Sequence, residues 1–98
     1  MLPSEIINCF ALSTRADKVY FGSDSGTIKV LDVATSFTLE KAVHAYKSFI
    51  RWLGTSKCGK YLATLGLMPD ANSKMMDTLK IWDLRSPSIC LLHQAMFD

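Results

Sequence analysis

The sequence predicts an all-β chain made of two copies of a four-stranded antiparallel unit, and three observations carry this. Thr27-Ile28-Lys29-Val30-Leu31-Asp32 returns as Thr78-Leu79-Lys80-Ile81-Trp82-Asp83, and each hexamer follows a strand-like run ending in glycine, at Gly22 and Gly66. Short runs rich in β-branched and aromatic residues alternate with clusters of Gly, Asp, Ser and Lys at regular spacing. No stretch holds an apolar pattern at helical period long enough to compete.

The elements follow in order. Residues 6–12 form the first strand and are closed by the polar cluster 13–17; residues 18–22 form the second. Ser23-Asp24-Ser25-Gly26 supplies aspartate and glycine for a tight turn into the third strand, 27–33. Residues 37–43 make the fourth, against the helical propensity of Leu39-Glu40-Lys41-Ala42. The second unit repeats the order with strands at 49–53, 60–66, 78–84 and 89–93. Pro87 falls in a turn, where its missing N–H does no harm. In the hexamers Ile28 and Val30 alternate with polar neighbours, as do Leu79 and Ile81. Trp82 and Leu84 point the other way, so the strand ends apolar on both faces and belongs between packed sheets.

Composition narrows the function. Hydrophobic residues make up 49% of the 98 and charged residues 20%, which is a folded composition. The +2 net charge comes from scattered Lys and Arg with no basic run, so no nucleic-acid partner is expected. No apolar stretch reaches the ~20 residues of a membrane span, so no direct membrane insertion is expected. Met1-Leu2-Pro3-Ser4-Glu5 has no signal-peptide character, which points to a cytoplasmic chain. Cys9, Cys58 and Cys90 have no metal-ligand spacing and read as reduced thiols, with Cys9 and Cys90 acting as small hydrophobes in strands.

Gly22 and Gly66 lie 44 residues apart and the hexamers 51 apart, so the second copy holds 7 extra residues. A period in the low forties that ends in Trp-Asp resembles the WD-repeat family, whose blades are four-stranded sheets in a β-propeller. The domain reading is a partial WD-repeat propeller over 1–98, with blade one at about 5–43 and blade two at about 49–93. A propeller closes with roughly 4 to 8 blades, so two form an incomplete β-propeller: either a fragment of a longer protein or a piece completed by other chains.

Connections between successive antiparallel strands alternate between two ends of a blade. The 7-residue insertion therefore shares an end with the inter-blade link, residues 44–48. Loops on a rigid scaffold commonly bind partners. His44, Tyr46 and Lys47 of the link and Met68, Asp70, Met75 and Met76 of the predicted loop 67–77 are the candidate binding residues. The alternative is a tolerated, disordered insertion. Gly22, Asp24, Gly26, Gly66, Trp82 and Asp83 are assigned structural roles. Both blades depart from the family pattern: Leu31 replaces the tryptophan of the first, and His44-Ala45-Tyr46 stands in the second where Gly-His is usual.

No catalytic constellation is present in the sequence. Gly22-Ser23-Asp24-Ser25-Gly26 has Asp at the centre of a would-be nucleophile elbow, and no Gly-Lys-Ser/Thr makes it a phosphate loop. The reading is a non-enzyme with no cofactor, no metal and no small-molecule substrate, whose partners are other proteins.

The run 21–28, the link Val43-His44-Ala45-Tyr46-Lys47, the segment Leu62-Ala63-Thr64-Leu65-Gly66 and a long loop before residues 79–84 occur in an order that resembles the vacuolar protein sorting 11 family. That resemblance implies a core subunit of the HOPS and CORVET complexes, acting in vesicle tethering and endosome-to-vacuole or lysosome protein transport. It implies partners among the other tethering subunits and a peripheral location on endosomal or vacuolar membranes. The family's acidic segment after the glycine is replaced here by Leu67-Met68-Pro69. A different class stays open: Trp82-Asp83-Leu84-Arg85 matches the Trp-Asp-x-Arg box of WD-repeat substrate receptors of cullin ubiquitin ligases, in which Arg85 would contact the adaptor. A generic WD-repeat scaffold is the third reading.

Overall fold

The tight turns predicted from Ser, Asp and Gly fold the chain into two four-stranded antiparallel meanders laid one on the other. The computed structural model describes residues 6–13, 15–85 and 89–97. The first sheet comprises β1 (Ile7–Leu12), β2 (Lys18–Ser23), β3 (Thr27–Asp32) and β4 (Thr38–His44) in that order. The second comprises β5 (Ile50–Thr55), β6 (Tyr61–Pro69), β7 (Met75–Asp83) and β8 (Cys90–Phe97), again in chain order. No helix occurs among the described residues. Leu39-Glu40-Lys41-Ala42 is strand, because β4 pairs along β3 and ladder bonds outweigh a weak helical propensity.

The β1–β2 and β5–β6 turns repeat the same backbone bond. Ser13 N bonds Lys18 O at 3.0 Å and Ser56 N bonds Tyr61 O at 3.0 Å. Ala16 and Gly59 both adopt left-handed φ, +57° and +74°. A bulge falls between Ile7 and Cys9 and again between Ile50 and Trp52; another falls at Val30/Leu31 and again at Ile81/Trp82.

This register corrects the alignment of the repeat. Ser23, not Gly22, is the counterpart of Gly66: β1 pairs Ile7 with Ser23, and β5 pairs Ile50 with Gly66. The repeat in the first two strands is thus 43 residues, and the insertion before the third strand is 8. Gly22 and Gly66 lie on opposite faces of their sheets, and both faces meet at the seam. A Cβ on Gly22 would stand 2.8 Å from the Ile50 side chain, and one on Gly66 2.7 Å from the Tyr46 ring.

The predicted long loop 67–77 is mostly not a loop. Leu67, Met68 and Pro69 extend β6 and pair with Asp77, Met76 and Met75 of β7. Only 70–74 turn, and β8 runs on to Phe97, which pairs with Asp77 at the base of the extension. The ladder wins because each added pair satisfies backbone groups that a loop would leave to water. Pro69 is tolerated at the strand's last position.

The core lies between the sheets. Tyr20, Ile28 and Val30 come from the first; Ile50, Leu53, Leu62 and Trp82 from the second; Ala45 and Tyr46 from the link. Each fully buried aliphatic side chain contributes about 1.5–3 kcal/mol of transfer free energy. Leu79 and Ile81, the alternating apolar residues of the second hexamer, are not in this core. The face of β7 turned to the first sheet carries Thr78, Lys80 and Trp82. Stacked sheets use opposite faces, so of two equivalent hexamer residues one points into the seam and the other away from it. Cys9 is half-buried, while Cys90 is exposed, contrary to its reading as a small hydrophobe.

Candidate interaction surface

The link that crosses from one sheet to the other is held by a polar network. The Gly26 carbonyl accepts from Ala45 N at 2.9 Å and Tyr46 N at 3.0 Å. Gly26 has φ +84°, and a Cβ there would lie 2.2 Å from the Tyr46 carbonyl oxygen, so glycine is required by conformation and by contact. Tyr46 then drops into the seam, only 1% exposed. Its hydroxyl sits 2.8 Å from Thr64 Oγ1, and its proton is shared between the carbonyls of Thr64 at 3.0 Å and Thr78 at 3.1 Å. Trp82 Nε1 donates to Thr64 Oγ1 at 2.8 Å.

Lys80 closes the network. Its Nζ donates to Ala45 O and lies 4.8 Å from the Tyr46 ring centroid and 5.8 Å from that of Trp82. Two aromatic faces and a carbonyl thus replace the water that a buried ammonium loses. Burial pushes the Lys80 pKa down and raises that of Tyr46 to about 12. Every buried side-chain N and O among the described residues has a partner. Sequence reading missed Thr64, Thr78 and Lys80, although Lys80 and Trp82, two apart in one strand, must share a face.

The candidate binding residues separate into three groups. Tyr46 is a structural centre of the seam and offers no side chain to a partner, which corrects its reading as a surface residue. Asp70 is committed to its own turn: its Oδ1 accepts from Asn72 N at 2.8 Å and Lys74 N at 2.9 Å. His44, Lys47 and Met75 are exposed. His44 Nδ1 lies 3.5 Å from Thr27 Oγ1, and Met68 packs on the rim of the core opposite Met76. Link and hairpin extend from the same end of the stack, as strand alternation requires. Arg51 bonds Asp77 at 2.5 Å at the base of the hairpin extension.

Asp24 Oδ1 accepts from Ile6 N at 3.1 Å, tying the β2–β3 turn to the segment entering β1. Asp83 holds Arg85 through Nε at 3.1 Å and Nη2 at 2.9 Å, and the guanidinium lies 5.4 Å from the Tyr61 ring centroid. Arg85 draws the Asp83 carboxyl down to about 2. No cluster of three or more His, Cys, Asp or Glu able to hold a metal occurs among the described residues.

No protein-family model matches the sequence, and no curated protein does. The fold is matched among solved structures. The β-propeller domain of Cps50 (Swd1) from Myceliophteria thermophila superposes with a TM-score of 0.77 at 12% identity. The match covers 95% of this chain and 28% of that one. The two sheets are therefore two blades of β-propeller architecture, and the chain spans about a quarter of the length of the propeller chain that it matches.

Proposed function

We propose that these two blades belong to a non-catalytic protein-interaction scaffold whose contact surface is the end bearing the link and the extended hairpin. One observation carries the reading: the 8-residue insertion is an ordered continuation of β6 and β7. It carries Met75 and Met76 outward at the end of the stack where the link bearing the exposed His44 and Lys47 also lies. An ordered hairpin presents side chains without the entropy cost of ordering a loop on binding. Methionine there gives an adaptable apolar contact.

In its finer form the proposal is a vacuolar protein sorting 11-like subunit of a membrane-tethering complex, cytoplasmic and peripheral on endosomal or vacuolar membranes. Its support is the order of motifs in the sequence, with the insertion between Gly66 and Thr78. Affinity capture with the full-length gene product should recover other tethering subunits, and Met75→Asp/Met76→Asp should abolish that recovery. Capture of a cullin adaptor, lost in Arg85→Ala, would replace this reading with the ligase receptor. The pairing of Arg85 with Asp83 inside its own blade favours a structural arginine.

A further inference from the structure

The turns that lead into β2 and β6 are built alike, and an exchange of residues between them changes their chemistry. By register Ser13 corresponds to Ser56, Arg15 to Cys58 and Asp17 to Lys60. In the first turn the Ser13 hydroxyl donates to the Asp17 carboxylate at 2.6 Å, while its oxygen accepts from Lys18 N at 3.0 Å. In the second, Ser56 Oγ accepts from Tyr61 N at 3.1 Å in the same way, but lysine stands where the carboxylate was. The Ser56 hydroxyl lies instead 3.4 Å from Cys58 Sγ. The Ser56 hydroxyl and the Lys60 backbone amide hold the exposed Cys58 thiol below its ordinary pKa. Burial pushes the Cys9 thiol the other way.

Between these two turns lies a cleft of about 330 Å³, at the lower end of the range of small-molecule pockets. Ser13, Arg15, Lys18 and Tyr20 line it from blade one, and Cys58 and Leu84 from blade two. Its walls are adjacent blades of this chain, so it does not rest on the outer sheet faces.

Tyr20 gives the cleft a polar floor. Its ring belongs to the core, and the residue is only 7% exposed. Its hydroxyl makes no hydrogen bond to another described residue, although every fully buried polar atom has a partner. The hydroxyl therefore opens to the cleft, where a bound molecule can supply its acceptor. At the rim the charges are unequally committed. Lys18 is paired with Glu40, and the Asp17 carboxylate accepts from Ser13. Arg15 is exposed and makes no hydrogen bond or ion pair with a described residue. Its planar guanidinium suits a carboxylate.

We infer that Cys58 is a site of reversible thiol–disulfide exchange with a small anionic disulfide, whose bound half fills this cleft with a carboxylate on Arg15 and an acceptor on the Tyr20 hydroxyl. The Cys58 thiolate attacks one sulfur of R–S–S–R, and the Cys58–S–S–R bond forms as the original S–S bond breaks. The other half leaves as RS⁻ with the bonding pair and takes up the proton that Cys58 released. Cys58 is thereby oxidised and the departing half reduced. The cleft lies at the opposite end of the stack from the link and hairpin, so the inference stands apart from the proposed contact surface.

The test exposes the full-length gene product to glutathione disulfide and follows adducts by mass spectrometry of chymotryptic peptides. Cys58 and Cys90 fall in different peptides, and Cys90, also exposed, is the internal reference. The adduct should form about tenfold faster at Cys58 than at Cys90, and dithiothreitol should remove it. Arg15→Gln and Tyr20→Phe should each slow the Cys58 reaction about threefold or more, with the Cys90 rate unchanged. Tyr20→Phe keeps the core ring and removes a hydroxyl that no described residue uses. With uncharged bis(2-hydroxyethyl) disulfide both variants should react like the parent, whereas Ser56→Ala should slow both disulfides alike. Equal rates at Cys58 and Cys90 would overturn the inference. So would unchanged glutathione disulfide kinetics in both Arg15→Gln and Tyr20→Phe, which would make Cys58 an exposed thiol without a site.

Discussion

The hydroxyl of Tyr46, in the link between blades, stands 2.8 Å from Thr64 Oγ1 in the middle of the second sheet. One contact thus couples blade stacking to the Trp82 side chain, whose Nε1 uses the same oxygen. Tyr46→Phe leaves the buried acceptors around it without their donor and should cost about 1–3 kcal/mol in urea unfolding. Thr64→Val should cost a similar amount by orphaning the Trp82 N–H. Because the two substitutions share one network, the double variant should lose less than their sum.

Alkaline stability follows from the same site. The folded pKa of Tyr46 is raised to about 12 from 10.0, so its contribution is complete below pH 10 and is lost as pH rises toward 12. Lys80 acts in the opposite sense: its folded pKa is lowered, so stability rises with pH from that value up to the unfolded value of 10.5. Lys80→Met removes the rising limb, and unfolding followed from pH 8 to 12 should then show only a decline. Tyr46→Phe should flatten that decline.

Gly26 and Gly54 should separate sharply on substitution by alanine. At Gly26 a Cβ meets backbone oxygen at 2.2 Å under a φ of +84°, so the loss should be about 2 kcal/mol or more in thermal melts. At Gly54 the nearest atoms belong to the exposed Trp52 ring, which can move. Gly54→Ala should fall within about 1 kcal/mol of the parent.

At acid pH the Asp83–Arg85 pair gives a local signal. The Asp83 carboxyl is lowered to about 2 from 3.8, so the stability it adds is present above 3.8 and is lost as pH falls toward 2. Carboxyl titration by NMR should find that midpoint in the parent. In Arg85→Gln it should move up toward the ordinary aspartate range.

Amide hydrogen exchange should show protection in 67–69 and 75–77 comparable to the rest of β6 and β7, and little in 70–74. Asp70→Ala removes both of its turn bonds and should cost about 1 kcal/mol, with no change in partner capture. Loss of capture in that variant would move Asp70 from the turn to the contact surface.

The sequence was most legible where period and turn chemistry coincide. Alternation over Thr27–Asp32 and the Asp24–Gly26 turn placed β2, β3 and their hairpin within a residue of their observed limits. It was least legible where one residue type serves two purposes. Gly22 and Gly66 look equivalent because each relieves a close contact, but the contacts lie on opposite sheet faces. Lys80 looks like a solvent-facing strand residue, and only the stacked Tyr46 and Trp82 rings make a buried ammonium acceptable. Residues 67–77 read as a loop because Pro69 and the polar 70–74 turn hide a ladder that contains no β-branched residue. The link was identified as unusual, but nothing local in His44-Ala45-Tyr46 tells which aromatic or imidazole ring turns inward.

The hairpin extension has a property that its pairing alone does not advertise. Residues enter it two at a time, one on each strand, so adding or removing a whole cross-strand pair leaves the faces of Trp82 and Thr64 where they are. The three extra pairs lift the turn roughly 10 Å, at about 3.3 Å each. It is in effect an adjustable mast, whose tip can be raised, lowered or re-equipped while the deck below keeps its register.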